Sequence, residues 1–292
     1  MTVINYTETS PDSCLPECLA ALARLEQKDG YPESGSKFEI MLSRYFRLAQ
    51  IILFYLMLCW LGAMLLLGNI AVLPLLLAPR PLRQPVVQWA ISAICRCFLA
   101  GAQACGLMRL DLRALDRLKG REHMLLVPNH PSMIDAFLVL SRVPRAVCLM
   151  KASISSNLFL GAGAYLAGYV SNRHPEQMFR AAIRCVQQGN VLMIFPEGTR
   201  TTRQPVNDIG GSVALIAKKA AAPLQTIIIT TNSPYLSKGW KIWRPPLFPL
   251  IYRAEPGKQF EANGPRDEIA RNLQQYFEAS IKLSIDPELR LD

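Results

Sequence analysis

Histidine is scarce in this chain, with three among 292 residues, and the eight cysteines contain no C-x-x-C pair. The histidines do not cluster, so neither a zinc site nor a disulfide framework is suggested, and no metal or tightly held cofactor is expected. Several cysteines lie inside apolar runs, where a thiol packs as a small hydrophobe. Reduced cysteines of this kind point to a main domain facing the cytosol. Cys14 and Cys18 read as exposed thiols on a tail. Internal repeats and low-complexity tracts are absent as well, which excludes solenoid and array architectures.

Charge is the other absence, since no Asp, Glu, Lys or Arg occurs from Leu48 to Ala78. About 20 apolar residues cross a bilayer core of about 30 Å. These 31 residues would reach roughly 46 Å as one straight helix. The excess calls for a tilted span, or for a re-entrant hairpin bent near Gly62, Gly68-Asn69 or Pro74. A cleavable signal peptide is not expected, since the run lies behind 47 residues of acidic tail, and it reads as an anchor. Lys37, Arg44 and Arg47 before it balance Arg80, Arg83 and Arg96 after it, so positive charge does not choose an orientation. Val86 to Met108 is apolar apart from Gln88, Arg96 and Gln103. A central Arg disfavours a second span, leaving an interfacial or core-packed helix with Arg96 reaching toward phosphates, or a buried scaffold helix.

What charge there is sums to +10 and is unevenly placed. Residues 1–47 hold seven acids and five bases, whereas residues 79–121 hold eight bases and two acids. A basic stretch directly after an apolar segment suits an anionic membrane surface. No nucleic-acid module accompanies it, so nucleic acid is not an expected partner. The expected organisation is a polar tail (1–47), a membrane anchor and interfacial region (48–108) and a catalytic domain (109–292). The expected location is the cell inner membrane, with the catalytic domain on the cytoplasmic side.

After Met108, short apolar runs alternate with helical patterns, the mark of an α/β domain. Strands are expected near 108–112, 124–128, 145–149, 169–172, 191–195, 224–230, 247–253 and 258–261. Helices are expected near 132–142, 154–167, 175–188, 210–221 and 266–284. Runs such as Val191–Phe195 and Ile227–Ile229 suit central strands covered on both faces. The fold class is therefore α/β, with a mixed, largely parallel central sheet flanked by helices, behind an N-terminal membrane-embedded helix or helical hairpin.

Two polar clusters stand at the ends of such strands. In Asn129-His130-Pro131-Ser132-Met133-Ile134-Asp135, Pro128 ends a strand and Pro131 opens a helix. The residue before a proline is held extended, so His130 sits at the helix cap and can fold back onto Asp135 in the following turns. A carboxylate on one ring nitrogen fixes the tautomer and leaves the other nitrogen as a base. The competing reading is a capping His with an Asp that simply favours a helix N-terminus. In Phe195-Pro196-Glu197-Gly198-Thr199-Arg200, the polar residues emerge at a strand's carboxyl end, where open α/β sheets bind ligands. Gly198 permits a tight turn, and Arg200 offers a planar, permanently charged donor for phosphate. Glu197 is expected either to hold that guanidinium or to accept from acceptor hydroxyls. His123 and His174 earn no role.

These two blocks, in this order, resemble the glycerolipid acyltransferase family that includes 1-acylglycerol-3-phosphate acyltransferases, whose motifs read NHxxxxD and FPEGTR. By that resemblance His130 and Asp135 are the catalytic dyad, and Glu197 and Arg200, with Gly198, Thr199 and Asn129 beside them, bind the acceptor. The family's Gly-x-x-Phe-x-x-Arg block corresponds to Ala167–Arg173, with the Gly displaced and Val170 in place of Phe. Arg173 is a second phosphate ligand and Lys151 matches a basic position. In the fourth block Pro223 is kept and Thr226 replaces the second proline, which bears on the acyl-side pocket.

The resemblance implies transfer of a fatty acyl group from acyl-CoA or acyl carrier protein to the hydroxyl of a membrane lipid acceptor, lysophosphatidate first. The alternatives are an amino-lipid or other specialised acceptor, or a silent membrane lipid-binding protein.

Overall fold

The computed structural model describes residues 37–285. Two compact units divide within the first helix, residues 1–49 and residues 50–292. Most of the expected polar tail, with Cys14 and Cys18, lies outside the described residues. From Lys37 the chain is helical, in α1 (Lys37–Ala71). The helix runs without interruption through Gly62 and the Gly68-Asn69 pair, so these do not mark the bend. The chain turns where Pro74 enters a short 3-10 helix, Leu73–Leu77, and α2 (Arg80–Ala104) follows.

Within the second unit, α1 and α2 form a hairpin meshed through two glycines. A Cβ on Gly101 would sit 2.5 Å from the Trp60 ring, and one on Gly68 would sit 2.8 Å from Ile94. Only hydrogen at those positions lets the facing side chains approach. As one contact advances along α1 from Trp60 to Gly68, its partner retreats along α2 from Gly101 to Ile94, so the helices are antiparallel. Asn69, buried near the end of α1, is fully used: its amide donates to the Leu158 carbonyl (2.8 Å) and accepts from the Gly163 N–H (2.7 Å). Both helices are long and apolar enough to cross a membrane by length and composition. α2 buries Val87, Ser92, Cys95, Phe98, Leu99 and Ala102 on one stripe, in keeping with a core-packed helix, and Arg96 stays exposed.

The remaining chain is β1 (Met108–Asp111), β2 (Met124–Pro128), α3 (Asp135–Arg142), β3 (Ala146–Met150), α4 (Ala152–Ser155), α5 (Gly161–Leu166), β4 (Val170–Ser171), α6 (Pro175–Gln187), β5 (Val191–Met193), α7 (Ser212–Ala220), β6 (Leu224–Thr231), β7 (Leu250–Phe260) and α8 (Arg266–Ile285). The strands form a seven-stranded sheet in the order β1-β7-β6-β2-β5-β3-β4. Neighbours are parallel except at β6-β7, so β2 to β6 all end on one edge.

Each central strand divides its side chains between two cores. Met124 and Leu126, Val191 and Met193, and Ile227 and Ile229 face one core, which contains Phe54 of α1, Phe98 of α2 and Leu138 of α3. Leu125 and Val127, Leu192 and Ile194, and Leu224 and Ile228 face the other, with Val186 of α6, Ile216 of α7 and Phe277 of α8. The two-residue period of the pleat does this sorting. It explains why these strands read as unbroken apolar runs.

Three elements differ from expectation. The helix expected at 132–142 begins only at Asp135, because Pro131 to Ile134 form a turn ahead of it. The strands expected at 247–253 and 258–261 are one strand, β7, which absorbs Pro256-Gly257 where its register with β6 shifts between Gln225 and Ile227. A bulge tolerates a residue without an N–H. The helix expected at 154–167 is two pieces, because the Asn157 side chain accepts from the Phe159 N–H (2.8 Å) and turns the chain.

Candidate active site

At the end of β2, Asn129 prolongs the pairing with β6 through its side chain. Its amide donates to the Ile229 carbonyl (2.9 Å) and accepts from the Ile229 N–H (2.7 Å). It is buried, so the structure makes it a brace for the following residue and not a ligand for substrate. His130 follows, and its ring lies on Phe195 with centroids 3.8 Å apart and planes 20° from parallel. Nδ1–H donates to Asp135 Oδ2 at 2.9 Å. The His130 side chain is 17% exposed while that of Asp135 is 0% exposed, so one ring edge is held inside and the other is left toward the opening.

Asp135 is the first residue of α3, where the helix dipole favours a carboxylate, and Oδ2 also accepts from the Ser132 N–H (2.8 Å). Ser132 Oγ donates to the Tyr235 carbonyl (2.9 Å). Oδ1 of Asp135 has no hydrogen-bond partner. Burial raises the carboxyl to about 6 despite the bond from His130, which acts in the opposite sense.

Glu197 departs from expectation. Its carboxylate is buried and fully engaged: Oε1 accepts the His130 N–H (2.8 Å), both oxygens accept from the Thr201 hydroxyl (2.9 and 2.8 Å), and Oε2 accepts the Asn207 N–H (2.9 Å). No ion pair joins it to Arg200 among the described residues. Glu197 is a knot between the His130 loop and the loop after β5, reinforced by the Thr201 N–H donating to the His130 carbonyl (2.7 Å). Gly198 takes φ +64° with open space where a Cβ would stand, so backbone conformation requires glycine there. Thr199 beside it is half-buried.

Arg200 is held by main chain. Nη1 donates to the carbonyls of Leu236 and Ser237, both at 2.9 Å. Leu236 is buried with φ +59°, a conformation that costs a non-glycine residue about 1–3 kcal/mol. Its carbonyl also accepts the Met133 N–H (3.1 Å), tying the loop after β6 to the His130 turn. Between these loops lies a polar hollow of about 460 Å³, lined by Pro131, Thr201, Thr202, Thr231, Ser233 and Lys238 among others.

Lys151 and Arg173 leave the same sheet edge, exposed, after β3 and β4. Arg173 is four strands from β6, roughly 19 Å at the usual spacing of about 4.8 Å. Arg200, by contrast, is fastened to the loop after β6, so the two arginines leave opposite sides of His130. Thr226 is inside the sheet, donating to the Lys258 carbonyl (2.8 Å) on β7. His174 caps α6, and both ring nitrogens of His123 face carbonyls, of Val186 (3.0 Å) and Ala221 (3.1 Å). Neither reaches the site. Burial pushes the thiols of Cys148 and Cys185 up to about 12, which removes them as nucleophiles.

Phe195, Ser132, Thr201, Asn207 and Leu236 complete the arrangement without having been singled out. Phe195 and Ser132 lie inside the two motifs and Thr201 directly follows one. Asn207 and Leu236 act through loop backbone and leave no local pattern.

With this geometry in hand, the chain is similar to a lyso-ornithine lipid O-acyltransferase of Pseudomonas aeruginosa, 26% identical over 162 residues, 51% of this chain. The match spans 55% of that relative's length. The fold is that of a 1-acyl-sn-glycerophosphate (LPA) acyltransferase, PlsC, from Thermotoga maritima, with a TM-score of 0.62 at 18% identity, over 85% of this chain and 99% of that one. Residues 109–230, which carry β1 to β6 and both motif loops, match the Acyltransferase family.

Proposed function

We propose that the protein is a membrane-associated O-acyltransferase that moves a fatty acyl group from a thioester, acyl-CoA or acyl carrier protein, to the free hydroxyl of a lysolipid. The observation that carries this reading is the buried Asp135, at the first position of α3, holding Nδ1–H of His130 at 2.9 Å. Nε2 then keeps its lone pair. It takes the proton from the acceptor hydroxyl as that oxygen attacks the thioester carbonyl carbon. The C–S bond breaks as the tetrahedral intermediate collapses, and the thiolate recovers the proton from His130. No acyl-enzyme is required. Stacking on Phe195 and the bond from the His130 N–H to Glu197 fix the ring's attitude. Arg200, with Nη1 anchored on two carbonyls, presents Nε and Nη2 to an acceptor phosphate. Lys151, Arg173 and Lys238 supply further positive charge around the opening.

Lysophosphatidate is the first acceptor on this reading, giving phosphatidate. The similarity to a lyso-ornithine lipid O-acyltransferase favours a second one, an amino-lipid without phosphate. Purified protein in detergent, given labelled acyl-CoA or acyl carrier protein with each lysolipid in turn, separates them. Transfer to lysophosphatidate weakened about tenfold or more by Arg200→Ala supports the phosphate reading. Transfer to the amino-lipid alone, indifferent to Arg200→Ala, moves the acceptor, and transfer to neither overturns the proposal.

A further inference from the structure

Between Asp208 and Glu255 the chain has no acidic residue and six basic ones, Lys218, Lys219, Lys238, Lys241, Arg244 and Arg253. Three of these fall in the segment Lys238–Leu247, which joins β6 to β7 and is interleaved with Trp240, Ile242 and Trp243. The segment turns its apolar side chains outward: Trp243 is 61% and Leu247 72% exposed. It is an ordered shape. Trp240 Nε1–H donates to the Arg244 carbonyl (3.0 Å), and the Trp240 ring meets Tyr235 edge-on at 6.1 Å. The Arg244 guanidinium lies 4.7 Å from the centroid of Trp240, and the Lys241 ammonium 5.9 Å from that of Trp243. The Tyr55 hydroxyl of α1 donates to the Trp243 carbonyl at 3.0 Å. The segment is thus fastened to the apolar helix, beside the exposed Ile52 and Leu56.

Outward tryptophan and leucine flanked by Lys and Arg match the level of a bilayer where acyl chains meet headgroups. We infer that Lys238–Leu247 is a second membrane-contacting element, distinct from the two apolar helices. Trp243 and Leu247 enter the interface of an anionic bilayer, and Lys241 and Arg244 meet its phosphates. Two features favour a bilayer over an acidic protein: the most exposed groups are apolar, and the hydrogen bond from Tyr55 makes the segment continuous with α1. The inference rests on α1 lying in the membrane. Because the same loop begins with the carbonyls that hold Arg200, it would seat the site's opening at the membrane surface.

The test is fluorescence quenching of the full chain reconstituted into vesicles of brominated phosphatidylcholine, with and without brominated phosphatidylglycerol. Wild type is compared with Trp243→Phe and with a Lys241→Gln/Arg244→Gln double variant. The chain has four tryptophans, of which Trp60 and Trp89 report on α1 and α2. The expected result is that the emission lost in Trp243→Phe belongs to the lipid-quenched fraction. The double variant should weaken quenching of Trp243 only when phosphatidylglycerol is present, with about a fivefold loss of lipid affinity per removed charge. If the lost emission is unquenched while Trp60 and Trp89 are quenched, the inference is overturned and the membrane reading of the helices stands. If no tryptophan is quenched, the membrane reading itself fails. A Trp243 signal insensitive to lipid but altered by acyl carrier protein would overturn the inference in favour of a protein surface.

Discussion

Replacing Asp135 by Asn should damage activity and relieve stability in a way that depends on pH. The carboxyl is wholly buried, one oxygen lacks a partner, and its folded value is about 6 against 3.8 for an ordinary Asp. The sign follows from linkage: a value raised in the folded state means that ionisation disfavours the fold. The cost is absent well below the unfolded value, grows as pH rises between the two, and is complete above about 6. At about 1.36 kcal/mol per unit it amounts to about 3 kcal/mol at pH 8 and about 1 kcal/mol at pH 4.5. Asn has no such cost at either pH. The melting temperature of Asp135→Asn minus that of wild type, in detergent, should therefore be larger at pH 8 than at pH 4.5 by roughly 4–8 °C. Taking the difference cancels constant terms such as the amide left facing the unpartnered side. Acyl transfer at pH 8 should meanwhile fall by about 10³–10⁴, because Asn no longer secures the Nδ1–H tautomer or stabilises the imidazolium. A melting difference unchanged with pH, or larger at pH 4.5, would refute the buried-carboxylate argument. Retained activity would refute the positioning role.

Glu197→Gln should cost about 3 kcal/mol in thermal unfolding, since an amide cannot accept from all of the His130 N–H, the Asn207 N–H and the Thr201 hydroxyl. Its transfer rate should fall together with its stability, and full stability in the variant would show that the knot is not needed. Ala221, exposed at the end of α7 with φ +51°, is strained by about 1 kcal/mol. Ala221→Gly should therefore raise the melting temperature by roughly 2–4 °C without altering transfer, and a lowered melting temperature would count against the strain.

The layout of the site was legible because its two polar clusters follow strands with continuous apolar runs. Val191–Phe195 and Ile227–Ile229 announce buried parallel strands, and parallel strands deliver their following loops to a common edge. The pairing of His130 with Asp135 was expected from the motif around it, but the helix opens at Asp135 and not behind Pro131, so the carboxylate stands at the first helical position and not in a second turn. Glu197 was harder. Its carboxylate looks from the sequence like a partner for Arg200 three residues away, but both are claimed by backbone from other loops: His130 and Asn207 for Glu197, Leu236 and Ser237 for Arg200. Such tertiary hydrogen bonds leave no periodicity. The same holds for Asn129, whose amide is absorbed by Ile229, and for the loop after β6, whose strained Leu236 is neither Gly nor Asn. The break at Asn157 could be anticipated from a turn-forming side chain, whereas the fusion of two short strands into β7 depends on a bulge against β6.

The most direct test of the account is acyl transfer by His130→Ala, with release of the donor thiol and formation of the lipid ester followed together. The account predicts that both fall by about 10³-fold or more while melting temperature and membrane association stay at wild-type values. Ester formation by a folded His130→Ala protein at the wild-type rate would contradict it.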